Sequence, residues 1–277
     1  MRSIRAPRPD DPPTREDEPD MIAIISDIHA NVEALTAVMD DIAARNVEQI
    51  VCLGDVVGYG PEPGECLDLV ISRVAVTLMG NHDYAVLYEP VKFNVGAEAA
   101  CYWTRQRLES EPDADRRKAR WEFFGSLQVK HTLDAEHLNL GTLAFVHGSP
   151  RRPVNEYIFP DDIYNAPGKV QGLFDRFSHL CFVGHTHVPG VFLETPDFYS
   201  PDELDGVYEV DPGRKALINV GSVGQPRDHD PRASYVLVEP GLVRFVRVAY
   251  PIEPVVEKVK ATPELDDYLG TRLLEGR

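Results

Sequence analysis

Several features that would point to particular classes of protein are missing from the sequence. It has 4 cysteines in 277 residues, and no two of them are spaced as CxxC. A thiolate zinc site and a disulfide framework are therefore not expected. No apolar run approaches the roughly 20 residues that cross a bilayer, and the first residues contain no apolar stretch typical of a secretory signal. These absences predict a cytoplasmic protein in which Cys52 and Cys181 are free, buried thiols.

Positive charge is also scarce, since the formal net charge is -17. Binding to nucleic acid phosphates or to an anionic membrane surface needs a basic footprint, so neither is expected as a partner. A small phosphate-containing substrate stays compatible with this acidity if a bound metal supplies positive charge locally. The oligomeric state is left open by the sequence.

The chain divides into a short tail and one long folded region. Residues 1–20 are rich in charge and proline, which predicts disorder, and residues 21–277 are interpreted as a single domain. Short apolar runs alternate with helical patterns at its start, which predicts parallel strands joined by crossover helices. Later strands follow each other closely, so part of the sheet is expected to be antiparallel. The predicted strands are 22–26, 49–54, 74–79, 143–148, 179–185, 216–222, 234–239 and 243–248, and the first crossover helices are 31–46 and 64–72.

Two longer stretches, 88–140 and 151–178, are predicted to be partly helical segments that cap the active site. The final segment carries a helix start signal, with Thr262 as N-cap and Pro263 in the first turn, which predicts a helix over 262–277.

Polar side chains follow strand after strand in this pattern. Ligands of parallel α/β sheets gather at the carboxyl ends of strands, so these side chains are expected to converge. A mixture of carboxylates, an amide and imidazoles suits Mn, Fe, Zn or Ni better than Ca or Mg. Seven ligands are too many for one ion and suit two ions that share Asp55. The candidates are Asp27, His29, Asp55, Asn81, His147, His185 and His187.

Each of these residues also has an ordinary structural interpretation. Asp27 suits a helix N-cap, Asp55 and Asn81 suit turns, and each histidine suits a buried, hydrogen-bonded position. All of them together are not expected to end successive strands by chance.

The candidates fall into five motifs in chain order: Asp27-Ile-His29, Gly54-Asp55-Val-Val-Gly58, Gly80-Asn81-His82-Asp83, Val146-His147-Gly148 and Gly184-His185-Thr186-His187. Together, these motifs resemble those of the calcineurin-like metallophosphoesterase superfamily. Outside the motifs, the chain after Met21 is similar to a bacterial subgroup related to YfcE-type phosphodiesterases and to diadenosine-tetraphosphatase-like proteins. The resemblance implies an α/β sandwich of two mixed β-sheets flanked by helices, with helical cap insertions.

The resemblance also implies how the site is arranged. His82 would be the catalytic residue, which protonates the leaving oxygen, and a hydroxide bridging two divalent ions, most simply Mn²⁺, would be the nucleophile. The role of Asp83 is left open between orienting His82 and capping the next helix. The first ion would take Asp27, His29, Asp55 and His187, and the second Asp55, Asn81, His147 and His185.

The second motif departs from that of the protein phosphatases of this superfamily, which makes a protein phosphatase less expected. The superfamily's serine/threonine protein phosphatases have Gly-Asp-x-x-Asp-Arg-Gly at the second motif, whereas this chain has Gly58 and Tyr59 at the Asp and Arg positions. We therefore expect a phosphodiesterase, with Arg227 and Ser222 as contacts of the substrate phosphate. The alternatives are a dinucleoside polyphosphate pyrophosphatase, a phosphoprotein or phosphomonoester phosphatase and, least favoured, a non-catalytic binding module.

Overall fold

A computed structural model describes residues 21–277, and the predicted tail at residues 1–20 lies outside the described residues. In chain order the strands are β1 (Ile22–Ile25), β2 (Gln49–Cys52), β3 (Val76–Thr77), β4 (Lys130–Asp134), β5 (Thr142–Val146), β6 (Leu180–Val183), β7 (Gly190–Leu193), β8 (Asp197–Tyr199), β9 (Val207–Glu209), β10 (Ala216–Asn219), β11 (Ala233–Glu239) and β12 (Leu242–Val248). The helices are α1 (Val32–Ala44), α2 (Pro63–Arg73), α3 (Asn81–Leu87), α4 (Val95–Glu109), α5 (Ala114–Ser126), α6 (Asp162–Asn165), α7 (Pro167–Phe174), α8 (Ile252–Lys260) and α9 (Asp267–Thr271).

The strands form two mixed, six-stranded sheets, as the resemblance implied. The first has the order β3-β2-β1-β11-β12-β9 and the second the order β4-β5-β6-β10-β7-β8. In the first sheet, α1 and α2 cross over between parallel strands, so β1, β2 and β3 run in one direction. In the second sheet, β5, β6 and β10 are the parallel strands. The remaining pairs are antiparallel, which confirms the expectation of mixed sheets.

Alternation along β1 shows how the layers pack. Ile22 and Ile24 lie in an apolar cluster with Phe145 and Phe182 of the second sheet. Ala23 and Ile25 point the other way and pack with the helices on the outer face. Because every residue of β1 is fully buried, the strand is apolar throughout and lies at the centre of the sandwich.

Some predicted element bounds were wrong. The third strand was predicted over 74–79 but spans only Val76–Thr77. α2 continues to Arg73 before it, and after it the N–H of Met79 donates to the carbonyl of Gln128. β4 lies inside the predicted cap 88–140 and was missed because its exposed face is polar. The helix predicted over 262–277 begins only at Asp267, with Asp266 accepting a hydrogen bond from the backbone of Tyr268. The short strands β7, β8 and β9 were not predicted.

All four cysteines are free and buried, as predicted for Cys52 and Cys181. None of the helices within residues 21–277 is long and apolar enough to cross a membrane.

Candidate metal centre

The seven predicted ligands converge on one buried site, contributed by the loops that follow β1, β2, β5 and β6 and by the start of α3. Their backbone is unusual, because non-glycine residues rarely adopt a positive φ. Such strained conformations persist only where the surrounding fold holds them, and they cluster at functional sites. The ligand residues with positive φ are Asp27, His29, Asp55, His185 and His187, with φ of 55°, 49°, 52°, 66° and 61°.

One half of the site contains Asp27, His29 and His187. The Nε2 atoms of the two imidazoles lie 3.1 Å apart, and Oδ1 of Asp27 lies 3.0 Å from Nε2 of His187. Nδ1 of His29 faces the carbonyl of Val57 at 3.2 Å, and Nδ1 of His187 faces the carbonyl of Gln225 at 2.6 Å. A carbonyl can only accept, so each Nδ1 is the donor and each Nε2 presents a lone pair. Two lone pairs and a carboxylate oxygen facing one another form a set that fits a cation.

The other half contains Asp55, Asn81, His147 and His185. Nε2 of His147 lies 3.3 Å from Oδ2 of Asp55, 3.1 Å from Oδ1 of Asn81 and 3.2 Å from Nδ1 of His185. Oδ2 of Asp55 also lies 3.8 Å from Nε2 of His29 in the first half. The same carboxylate oxygen therefore faces both halves of the site.

Several buried polar atoms in this site have no hydrogen-bond partner: Oδ1 of Asp27, Nδ1 of His147 and Nε2 of His185. Of these atoms, Oδ1 of Asp27 faces the cluster, and a divalent cation bound there would offset the free-energy cost of leaving this oxygen unpaired. Nδ1 of His147 and Nε2 of His185 are the ring nitrogens opposite those that face the cluster. The donor set therefore fits divalent metal ions with mixed oxygen and nitrogen ligands.

Electrostatics couple these groups strongly. Burial opposes the charged form of His147, but Asp55 and Asp27 prevail and raise its pKa to about 9. Burial, reinforced by the charge of His147, lowers the pKa of His185 to about 3. Burial also opposes ionisation of Asp27, yet His187 and His147 hold its pKa below the usual range. The carboxylates are thus ionised and able to bind a metal.

His82 lies beside the cluster and at the wall of a cavity. Its ring nitrogen comes within 4.8 Å of the donor atoms of His29 and Asp55. Nδ1 lies 3.6 Å from Sγ of Cys101, and a Cβ at Gly58 would lie 2.3 Å from Nδ1. Burial lowers the pKa of His82 to about 4, opposed by Asp55 and aided by Arg227. No side chain at position 58 fits beside this ring, so the orienting carboxylate of the protein phosphatases has no room here.

Asp83 has a structural role that neither sequence interpretation fully anticipated. Its carboxylate accepts from the backbone N–H of Asp55 at 2.7 Å, of Val56 at 3.0 Å and of Gly80 at 3.0 Å. The bond to Gly80, the residue before α3, agrees with the predicted capping of that helix. The other two bonds tie the loop after β2 to the start of α3, and so fix Asp55 next to Asn81.

Arg227 and Ser222, the two residues predicted to contact the substrate phosphate, differ in their burial and in their contacts. Arg227 is half-buried, and its guanidinium lies 5.8 Å from the ring centre of Tyr59. Its backbone N–H donates to the carbonyl of His187 at 3.2 Å, so it lies next to the site, and its charge lowers the pKa of His187 after the larger effect of burial. Ser222 is fully buried, donates to the carbonyl of Asp27 at 2.8 Å and accepts from the N–H of Gln225 at 2.8 Å. The Ser222 hydroxyl therefore holds the loop after β1, and a contact of Ser222 with the substrate phosphate, through its backbone N–H, stays a prediction.

A cavity of 440 Å³ opens beside Asn81, His82 and His185. Residues from both predicted cap segments line it, including Phe93 from 88–140 and Tyr157 from 151–178. Sequence reasoning missed Tyr157 as a site residue because it belongs to no motif. An isolated aromatic in an irregular segment carries no periodic signal.

Comparison with known proteins agrees with this geometry. A family model described as the calcineurin-like phosphoesterase superfamily domain matches residues 21–241. An uncharacterised protein of Methanocaldococcus jannaschii is 37% identical over 265 residues, covering 93% of this chain and 98% of that protein. The crystal structure of a metallophosphoesterase from Sphaerobacter thermophilus matches at TM-score 0.76 and 38% identity, covering 94% of this chain and 100% of that one. A hypothetical protein of Pyrococcus horikoshii has the same fold at TM-score 0.70 and 18% identity, covering 93% of this chain and 98% of that one.

Proposed function

Because this chain belongs to the calcineurin-like phosphoesterase superfamily and is a metal-dependent phosphoester hydrolase, we propose that it is a phosphodiesterase with a dinuclear metal centre. The family implies divalent metal ions, and Mn²⁺ is the ion we propose on the chemistry of the donors. The narrower resemblance to YfcE-type phosphodiesterases and diadenosine-tetraphosphatase-like proteins, and the cytoplasmic location, stay predictions.

The observation that supports this proposal best is the arrangement of lone pairs around Asp55. Its Oδ2 atom faces His29 on one side and His147 on the other. We assign two cation sites that share this carboxylate. The first is held by Asp27, His29, Asp55 and His187, and the second by Asp55, Asn81, His147 and His185.

Two bound divalent ions would supply an activated water and neutralise charge on the phosphoryl oxygens. The protein's own residues do the rest. His82, at the wall of the cavity, is placed to donate a hydrogen bond or a proton to the leaving oxygen. The guanidinium of Arg227 lies 5.8 Å from the ring centre of Tyr59 and donates to Oε1 of Gln225 at 2.6 Å. It forms no ion pair with a carboxylate within residues 21–277, and we propose that it binds a phosphoryl oxygen.

The preference for a diester is supported by what surrounds His82. Gly58 and Tyr59 occupy the positions at which the protein phosphatases of this superfamily have an orienting Asp and a phosphate-binding Arg. A phosphomonoester dianion carries more charge than a diester and depends more on such an arginine. The site is thus better suited to the less charged substrate.

The test is hydrolysis of bis(p-nitrophenyl) phosphate compared with p-nitrophenyl phosphate, with added Mn²⁺. We expect turnover of the diester to exceed that of the monoester and to be abolished by EDTA. Diester turnover that survives EDTA would exclude the metal-dependent mechanism, and a preference for the monoester would exclude the diesterase assignment.

Two variants separate metal binding from catalysis. Asp55→Asn should lower the content of both ions, because the shared ligand is lost. Substitution of a residue that only hydrogen-bonds to a metal ligand already lowers metal affinity by about 10–100-fold. His82→Ala should retain both ions and lower kcat by about 10²–10⁴-fold. His131→Ala, on the outer strand β4 and away from the cluster, is the matched control and should change neither. Loss of both ions in His82→Ala would contradict its assigned role.

A further inference from the structure

Large aromatic side chains are exposed around the mouth of the 440 Å³ cavity. Tyr84 and Tyr157 line it with 43% and 42% of their surface exposed, and Phe159, next to Tyr157, is 48% exposed. Single exposed aromatics are ordinary, but several at the opening of one cavity form an apolar surface of the kind that marks a binding site.

The rings on one wall are stacked in sequence. Tyr157 lies on His185 with ring centres 3.8 Å apart and planes at 22°. Phe159 is parallel to Tyr157, at 5.4 Å and 5°. This aromatic wall, which we define as Tyr157 and Phe159, therefore starts at a candidate metal ligand and continues out to solvent. A planar ring bound against this wall could belong to the same molecule as a phosphoryl group bound at the metal centre.

The rest of the cavity adds a few polar groups to this apolar surface. Lys92 and Asn155 line it, are exposed, and have no ion-pair or hydrogen-bond partner for their side chains among residues 21–277. Its volume falls within the range of about 300–1,000 Å³ that is typical of small-molecule sites. Stacking surface, amide and ammonium groups together suit a planar heterocycle with hydrogen-bonding edges.

We infer that this cavity binds the nucleoside part of a nucleotide phosphoester, with the base at its mouth, stacked on the face of Phe159 that Tyr157 leaves uncovered. This inference rests on the proposed function, since it requires the substrate phosphate to lie at the metal centre. The net charge of -17 is unsuited to a long nucleic acid, so the ligand is a mononucleotide or dinucleotide ester rather than a polymer.

The test compares two phosphates that differ only in the base, adenosine 5'-monophosphate and ribose 5-phosphate. Their affinities for the Mn²⁺-loaded protein are measured by isothermal titration calorimetry, with release of inorganic phosphate followed in parallel. Stacking of one base predicts that the nucleotide binds about 5- to 100-fold more tightly. Equal affinities would overturn the inference.

Variants locate the effect at the aromatic wall. Phe159→Ala should reduce the preference for the nucleotide by at least about 5-fold, and Phe159→Tyr should restore it, because either ring offers a stacking face. Tyr164→Ala is the matched control, since Tyr164 is 79% exposed on α6 and, unlike Phe159, is not stacked on Tyr157. An unchanged preference in Phe159→Ala would overturn the assignment of the wall.

The inference and the proposed function fail in different ways. Hexyl phosphate that binds as tightly as adenosine 5'-monophosphate would overturn the inference in favour of an apolar-chain site, even if diester hydrolysis is found. Tighter nucleotide binding without diester hydrolysis would support the inference and contradict the proposed activity.

Discussion

Replacing Asp83 with alanine should destabilise the fold far more than an ordinary loss of a helix cap. The Asp83 carboxylate is fully buried and accepts hydrogen bonds at 3.0 Å or less from the backbone of Asp55, Val56 and Gly80. Leaving one buried donor unpaired costs about 1–3 kcal/mol, so losing the partner of all three should cost about 3–9 kcal/mol. That is a large part of a typical total stability of about 5–15 kcal/mol.

The assay is urea-induced unfolding in EDTA, which removes any contribution of metal binding. Asp113→Ala is the matched control, because Asp113 caps α5 with bonds to the backbone of Asp115 and Arg116 but is exposed. Its loss should cost about 1 kcal/mol. If Asp83→Ala is no more destabilising than Asp113→Ala, the view that Asp83 holds the two loops together is refuted.

Three further predictions concern the surroundings of His82, acid stability and metal binding. Gly58→Ala places a Cβ against His82 at a φ of +89°, so it should lower the free energy of unfolding by about 1–3 kcal/mol. It should also lower kcat at least about 10-fold while the metal content, measured by elemental analysis, stays unchanged. Burial opposes ionisation of Asp41, but the hydrogen bond from Arg45 prevails and lowers the pKa of Asp41. The ionised carboxylate therefore stabilises the folded protein above about pH 4, and this stabilisation is lost as the pH falls further. The free energy of unfolding of Asp41→Asn, measured with urea, should therefore fall less steeply below pH 4 than that of the wild type or of the exposed control Asp40→Asn. Mn²⁺ at 100 times its Kd should stabilise the protein by about 2.7 kcal/mol, seen as a higher Tm that EDTA reverses.

Much of the site could be predicted because its residues stand at the ends of apolar strands. The pattern at Asp27, Asp55 and Asn81 repeats with each βαβ unit, and parallel strands bring such positions to one edge. The histidines at 147 and 185 were predicted in the same way, from the parallel strands of the second sheet. Short, continuously apolar strands followed at once by a carboxylate, an amide or an imidazole thus carried the information.

The missed features depend on contacts between distant segments. The hydroxyl of Ser222 donates to the carbonyl of Asp27 and so holds the loop after β1, a role that no local pattern reveals. The same holds for Tyr157, whose role depends on stacking against His185. The predicted helix over 262–277 failed locally instead, because Asp266 is the cap that the chain uses.

The most direct test of the dinuclear centre is the anomalous scattering of Mn²⁺ in crystals of the metal-loaded protein. The account predicts two peaks about 3.5–4 Å apart, one on each side of the Asp55 carboxylate. A single peak, or two peaks that do not share Asp55, would contradict it.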